Sequence, residues 1–203
     1  MKCESCVTGS LPTQHEGGCV KSSSSSSSSS ERVLEMKVVV QRVASASVEV
    51  EGRTVSAIGP GLLVLVGIHD LDSHSDADYI CRKVLNMRLF PNDKSGKTWD
   101  QNVMQKNYEV LLVSQFTLYG ILKGNKPDFH VAMPPDKAKS LYASLVQTFQ
   151  TTYRSDAVRD GVFGAMMKVN LVNDGPVTMQ LESPQSSSNT KDGVEAESTM
   201  NGK

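Results

Sequence analysis

The sequence predicts an α+β domain, with mainly antiparallel sheets forming a barrel-like core and two packed helices. Three observations carry this. Many short apolar, β-branched segments are set apart by Gly, Pro and Asn/Asp turn signals. Two well-separated stretches, after Asp72-Ser73 and from Pro135-Asp136, repeat apolar residues at helical spacing. Neither end of the chain is domain-like, one holding an unbroken serine tract and the other almost no large apolar residues, which leaves one domain between Met36 and Ser183.

The elements follow in order. Met36 to Ala44 reads as a strand and Ser45 to Val50 as another. Glu51-Gly52 makes a turn into a third strand, Thr54 to Ile58. Gly59-Pro60-Gly61 breaks the chain, and Leu62 to Ile68 is almost wholly apolar, as a central strand should be. Asp72 and Ser73 are N-cap residues for a helix whose stripe is Ala77, Ile80, Cys81, Val84 and Leu85. Met87 to Phe90 reads as a short strand and Pro91 to Gly96 as a loop. The next strand runs through Ser114 to Leu118. Alternation puts Leu112, Ser114, Phe116 and Leu118 on one face, and Leu111, Val113, Gln115 and Thr117 on the other. Tyr119 to Pro134 is a long connection of the kind that carries function. The second helix has the stripe Ala138, Leu141, Tyr142, Leu145, Val146 and Phe149. Met166 to Leu171 and Val177 to Leu181 read as a closing hairpin around Asn173 to Pro176.

The ends bound what the chain can be. Residues 22 to 30 are all serine, and residues 184 to 203 are rich in Ser, Thr, Asn and Glu. Such tracts cannot offset chain entropy, so 1–35 is expected to be a disordered leader and 184–203 a disordered tail. Net charge is −1 over the chain, and charges nearly cancel in the domain. That is not the balance of a general nucleic-acid binder, although contact with one end of an RNA needs no basic surface. Cys3, Cys6 and Cys19 lie in the leader and only Cys81 in the domain. One cysteine in a folded domain suits a reducing compartment, hence the cytoplasm. No apolar run can span a membrane and no signal-peptide region opens the chain. Cys3, Cys6, His15 and Cys19 are ligand types that suit zinc, but their spacing matches no common finger and nothing apolar surrounds them, so no metal is expected.

Two stretches hold the chemistry. Ser114-Gln115-Phe116-Thr117 places polar groups in an apolar strand, where they need partners that a substrate can supply. Asn173-Asp174-Gly175-Pro176-Val177-Thr178 is a turn signal closed by a Gly-Pro bond. Together with Met36 to Val43, Gly61 to Gly67, Lys123-Gly124-Asn125-Lys126-Pro127-Asp128-Phe129 and Gly161 to Met167, they resemble the D-aminoacyl-tRNA deacylase family, over about Met36 to Ser183. The resemblance implies a homodimeric hydrolase that cleaves D-aminoacyl-tRNA and mischarged glycyl-tRNA without a cofactor. It implies that the backbone at Phe116 and Thr117 serves the reacting carbonyl, while the 2′-hydroxyl of the terminal ribose assists water. It implies a cis Gly175-Pro176 bond presented into the partner subunit's site as a chiral gate, held by Arg42. Phe163, Gly164, Ala165 and Met167 match the family's pocket for the terminal adenosine.

The residues alone leave plainer readings. Ser114 to Thr117 reads equally as a polar kink in a core strand; the plainer reading of Gly175-Pro176 is a hairpin turn, and that of Arg42, the less favoured one, is a surface cation. Met167 reads equally as core packing, whereas for Phe163 the pocket is favoured over core packing. Lys123, Lys126 and His130 lie in the long connection, where they can meet tRNA or form a solvated tip. His69 and His74 flank an Asp/Ser loop and read as solvated. Thr117 is the one side-chain nucleophile candidate, but no base is identifiable beside it unless His130 serves. The rival readings are a conventional hydrolase using Thr117 with His130, and a non-catalytic nucleic-acid or protein-binding module on the same scaffold.

Overall fold

The computed structural model describes residues 36–184. The serine leader with its cysteines and the polar tail beyond Pro184 lie outside the described residues. Eight strands, two helices and one 3₁₀ turn are described. The main sheet contains β1 (Lys37–Val50), β2 (Arg53–Ile58), β3 (Gly61–Gly67), β4 (Glu109–Ser114), β7 (Val158–Asp160) and β8 (Met167–Glu182). Its order is β2-β1-β3-β4-β7, and β8 also pairs with β1. Strand β1 pairs antiparallel with β2, β3 and β8, whereas β3–β4 and β4–β7 are parallel. The outer strands β2 and β7 approach each other, so the sheet curls into a nearly closed barrel. Between β4 and α2 lies a small antiparallel hairpin, β5 (Ile121–Lys123) and β6 (Lys126–Asp128).

The two helices form as their caps and stripes dictate. In α1 (His74–Asn86), Ser73 and Asp76 form a capping box: the Ser73 N–H donates to Asp76 Oδ2 at 2.9 Å. In α2 (Pro135–Thr152), proline occupies the first turn, where its missing N–H costs nothing. The predicted stripe residues of both helices are buried. They pack with Val38, Val40, Leu62, Val64 and Val66 in one core layer. A second layer, inside the curl, holds Val43, Ala46, Val48, Leu63, Leu111 and Val113. Strand β3 is therefore buried on both faces, as its unbroken apolar run requires.

Several expected boundaries differ. The two strands expected over 36–50 are one, β1, whose buried residues pass from the helix-side layer (Val38, Val40) to the inner layer (Val43, Val48). The switch coincides with register shifts opposite β8 at Gln41 and Val43. The expected strand at Met87–Phe90 is only an isolated bridge from Phe90 to Gln101. The long connection contains the β5–β6 hairpin. The expected closing hairpin at 166–181 is the single strand β8. Both of its halves pair with β1, with Asn173 opposite Val43 and Thr178 opposite Gln41. Four residues, 174–177, thus bulge outward against one residue of β1. The turn chemistry is real, but pairing of both flanks to β1 prevents them from pairing with each other.

Candidate active site

Strand β4 ends at Ser114, not at Leu118. The Gln115 N–H still donates to the Val66 carbonyl at 2.6 Å, but Gln115 then leaves the extended region with ψ 77°. Phe116–Tyr119 is a 3₁₀ turn: the Leu118 N–H donates to Gln115 O at 3.2 Å, and the Gly120 N–H to Thr117 O at 3.0 Å. The apolar residues that suggested a continuing strand instead anchor this turn. Tyr119 is buried, and the turn packs against Gly67 of β3, where a Cβ would stand 3.0 Å from Leu118 Cβ. Alternation therefore fails beyond Ser114. The i→i+3 pattern begins at the Leu118 N–H, so the Phe116 and Thr117 N–H groups have no acceptor within the turn.

This turn forms one wall of a cavity of about 680 Å³. Ser114, Gln115 and Phe116 line it on one side; Phe163, Gly164, Ala165, Met166 and Met167 line it on the other. Val66 and Val113 contribute from the sheet, Phe129 from beyond the hairpin, and Met133 to Pro135 with Ala138 from the start of α2. Phe116 is exposed and meets Phe129 edge-on, with ring centroids 5.0 Å apart. Phe163 leans on Tyr142 at 5.6 Å. Burial pushes the Tyr142 phenol well above its ordinary pKa, with Asp160 adding to the effect. The four residues matched to an adenosine pocket and three of the four matched to catalysis thus share one cavity.

Thr117 is exposed, and its hydroxyl accepts a hydrogen bond from the Gln115 side-chain amide. Its partner is neither an imidazole nor a carboxylate. His130 Nδ1 faces Asp128 Oδ2 at 3.1 Å, and Lys123 pairs with the same carboxylate. The Lys123 ammonium, with His130, holds the Asp128 carboxyl down to about 2. Lys123 and His130 are therefore committed to Asp128, while Lys126 is exposed on the hairpin. His69 differs from its solvated expectation: it is buried against Tyr119, and its Nδ1 accepts from the Leu71 N–H at 3.2 Å.

Gly175 and Pro176 do not line this cavity. The Gly175-Pro176 bond is cis, as the resemblance implied, and Gly175 has φ 114°. The Asn173 side chain braces the bulge: Oδ1 accepts from the Val177 N–H at 3.2 Å, and Nδ2 donates to Thr178 Oγ1 at 3.1 Å. Arg42 is no ordinary surface cation. Its Nη1 donates to Leu89 O at 2.6 Å, and its Nε lies 2.9 Å from Asp174 Oδ2, as an ion pair without a directed hydrogen bond. Arg42, Gly175 and Pro176 border a separate cavity of about 320 Å³, together with Pro91 and Trp99.

Residues 39–182 match the family model of D-Tyr-tRNA(Tyr) deacylase, which is well over half of the chain. The chain belongs to this family of hydrolases. It is 56% identical to D-aminoacyl-tRNA deacylase 1 of Mus musculus over 73% of this chain and 71% of the relative. It is 52% identical to that of Homo sapiens (77% and 75%) and 49% identical to D-aminoacyl-tRNA deacylase of Dictyostelium discoideum (74% and 99%). A solved structure described as c-Myc DNA unwinding element binding protein superposes with TM-score 0.71 at 52% identity, over 73% of this chain and 99% of that one. A probable eukaryotic D-amino acid tRNA deacylase, 18% identical, superposes with TM-score 0.63 over 72% of this chain and 98% of that one, and shows the fold alone. Within this deacylase family's frame, sequence reasoning missed Phe129 as a wall of the large cavity and Trp99 as a wall of the small one. Phe129 stood within a matched motif with no role attached; Trp99 gave no signal at all.

Proposed function

We propose that this protein hydrolyses the ester of D-aminoacyl-tRNA, and of mischarged glycyl-tRNA, as a homodimer. One observation carries the reading: family positions far apart in sequence converge on one cavity, while Gly175-Pro176 stands outside the cavity of its own chain. A segment that is to meet substrate, yet does not line its own site, must reach a partner's. Among the described residues, strand β8 also leaves its far edge unpaired and exposes Leu171, Val172 and Met179, apolar side chains that a second subunit can cover.

The terminal adenosine packs between Phe163 and Met167, and Gly164 and Ala165 admit its ring closely. The ester carbonyl lies against the 3₁₀ turn, where the Phe116 and Thr117 N–H groups stabilise the oxyanion. Water attacks the carbonyl carbon with help from the ribose 2′-hydroxyl, and the bond to the 3′ oxygen breaks. The products are the free amino acid and tRNA. The partner's Gly-Pro carbonyls accept hydrogen bonds from the substrate ammonium and leave no room for an L side chain. No side-chain nucleophile is required, which agrees with Thr117 being bonded to an amide. The domain is 36–183. Among the described residues no helix is long and apolar enough to cross a membrane, and the reading places the protein in the cytoplasm.

The test compares release of D-tyrosine and L-tyrosine from one tRNA, then mixes a Gly175→Ala chain with a Phe163→Ala chain. D-specific release, with activity regained in the mixture, supports the reading. Single mutants that each keep full activity with the parent's D preference would refute the gate. The name of the DNA unwinding element binding relative gives weight to one other reading, a nucleic-acid-binding module. Tight duplex DNA binding without ester cleavage would favour it.

A further inference from the structure

Trp99 is the one tryptophan of the chain, it is 56% exposed, and its φ is 58°. A bulky residue in the left-handed region is a genuine outlier, and such strain gathers where function needs a fixed geometry. Burial does not explain it, since more than half of the residue faces solvent. The surrounding loop explains how the conformation is held. The Phe90 and Gln101 backbones exchange hydrogen bonds at 3.0 and 2.9 Å. The Asn92 N–H donates to Lys97 O at 2.8 Å, and Asn92 Nδ2 to Asp100 Oδ2 at 2.7 Å. These bonds bracket Trp99 on both sides.

The loop is tied to the Gly-Pro segment at two points. At its base, Leu89 accepts the Arg42 hydrogen bond, and Arg42 pairs with Asp174. At its far side, Trp99 lines the same small cavity as Gly175 and Pro176. Loop, Arg42 and bulge form a closed circuit in which Trp99 and Arg42 border one cavity with the Gly-Pro segment. We infer that Trp99 is a positioning residue for chiral selection: its ring limits where the Gly175-Pro176 segment can stand, and thereby keeps L-aminoacyl esters out of the partner's site. This rests on the gate reading above.

The test uses the full-length chain and measures the ratio of D to L cleavage rates on one tRNA, with thermal stability and dimer mass. Asparagine accepts positive φ far better than tryptophan. Trp99→Asn therefore keeps or raises the melting temperature while lowering the D:L ratio by about tenfold. Stability and selectivity moving apart is not what a merely structural residue gives. Trp99→Phe, which retains a ring, stays within about threefold of the parent ratio. If Trp99→Asn does not form a folded dimer, Trp99→Leu against Trp99→Phe repeats the comparison at an equal backbone burden. Gly175→Ala is run alongside. A lowered ratio in Gly175→Ala with the parent ratio in Trp99→Asn (or with Leu and Phe alike) overturns the Trp99 inference and leaves the gate standing. An unchanged ratio in all variants overturns both.

Discussion

Gly175→Ala tests whether the bulge is a rigid device or a tolerant turn. An alanine Cβ at this position would stand 2.8 Å from Val177 Cγ2, 2.9 Å from Arg42 Nη2 and 3.3 Å from Val177 N. Relief by moving Arg42 is not free, because Arg42 donates to Leu89 O and pairs with Asp174. A φ of 114° adds a backbone cost of about 1–3 kcal/mol for any L side chain. Overpacking adds about 1–3 kcal/mol. For a domain near 150 residues, each kcal/mol shifts the melting temperature by about 2–4 °C, so a fall of roughly 4–24 °C is expected. Gly124→Ala is the control: φ is 63°, but no atom lies within 4 Å of the added Cβ, leaving only a backbone cost of about 1–2 kcal/mol. Thermal unfolding of both variants separates clash from backbone strain. Repeating Gly175→Ala in an Arg42→Ala background should recover about 1 kcal/mol or more as coupling. Equal losses at Gly175 and Gly124, with no coupling to Arg42, would refute the account of a braced bulge.

Thr117→Ala should keep kcat/KM within about tenfold of the parent, because the Gln115 amide, not a base, holds the hydroxyl; loss of a triad-type nucleophile would cost about 10⁶-fold. A folded Thr117→Ala dimer that is almost inactive would defeat the backbone-centred mechanism. Burial pushes the Cys81 thiol up to about 11, with Asp78 adding to it and a Thr152 hydrogen bond opposing it. The folded state then holds the proton more tightly than the unfolded chain, so stability is complete below the ordinary thiol pKa and declines as pH rises towards 11. Melting curves between pH 8 and 11 should fall less steeply for Cys81→Ala; identical slopes would mean that the thiol titrates normally.

How much of this was legible in the sequence depended on which interactions decide each element. Both helices were legible because capping and periodicity are local: Ser73 and the stripes of α1 and α2 specify them without help from the rest of the fold, although Asp72, the other expected cap, instead accepts from the His69 N–H at 2.6 Å. β3 was legible because burial on both faces leaves an unbroken apolar run. The two misread stretches are those where local chemistry and tertiary pairing disagree. Leu118 and Tyr119 are apolar to pack a turn beneath Gly67, not to extend a strand, and nothing in their spacing says so. Asn173 to Pro176 carries every mark of a hairpin, yet β1 is long enough to pair with both flanks, and the turn residues become a bulge. The same mismatches mark the site: a strand that stops early leaves the Phe116 and Thr117 N–H groups without an acceptor in the turn, and a turn that cannot close on itself leaves Gly175-Pro176 outside the larger cavity. Trp99 is the extreme case, since its φ is imposed by bonds among Phe90, Asn92, Asp100 and Gln101 that no periodicity reveals. Local rules fail here where the chain is held in a shape that its own residues do not prefer, and those are the positions where substitution should change selectivity before it changes the fold.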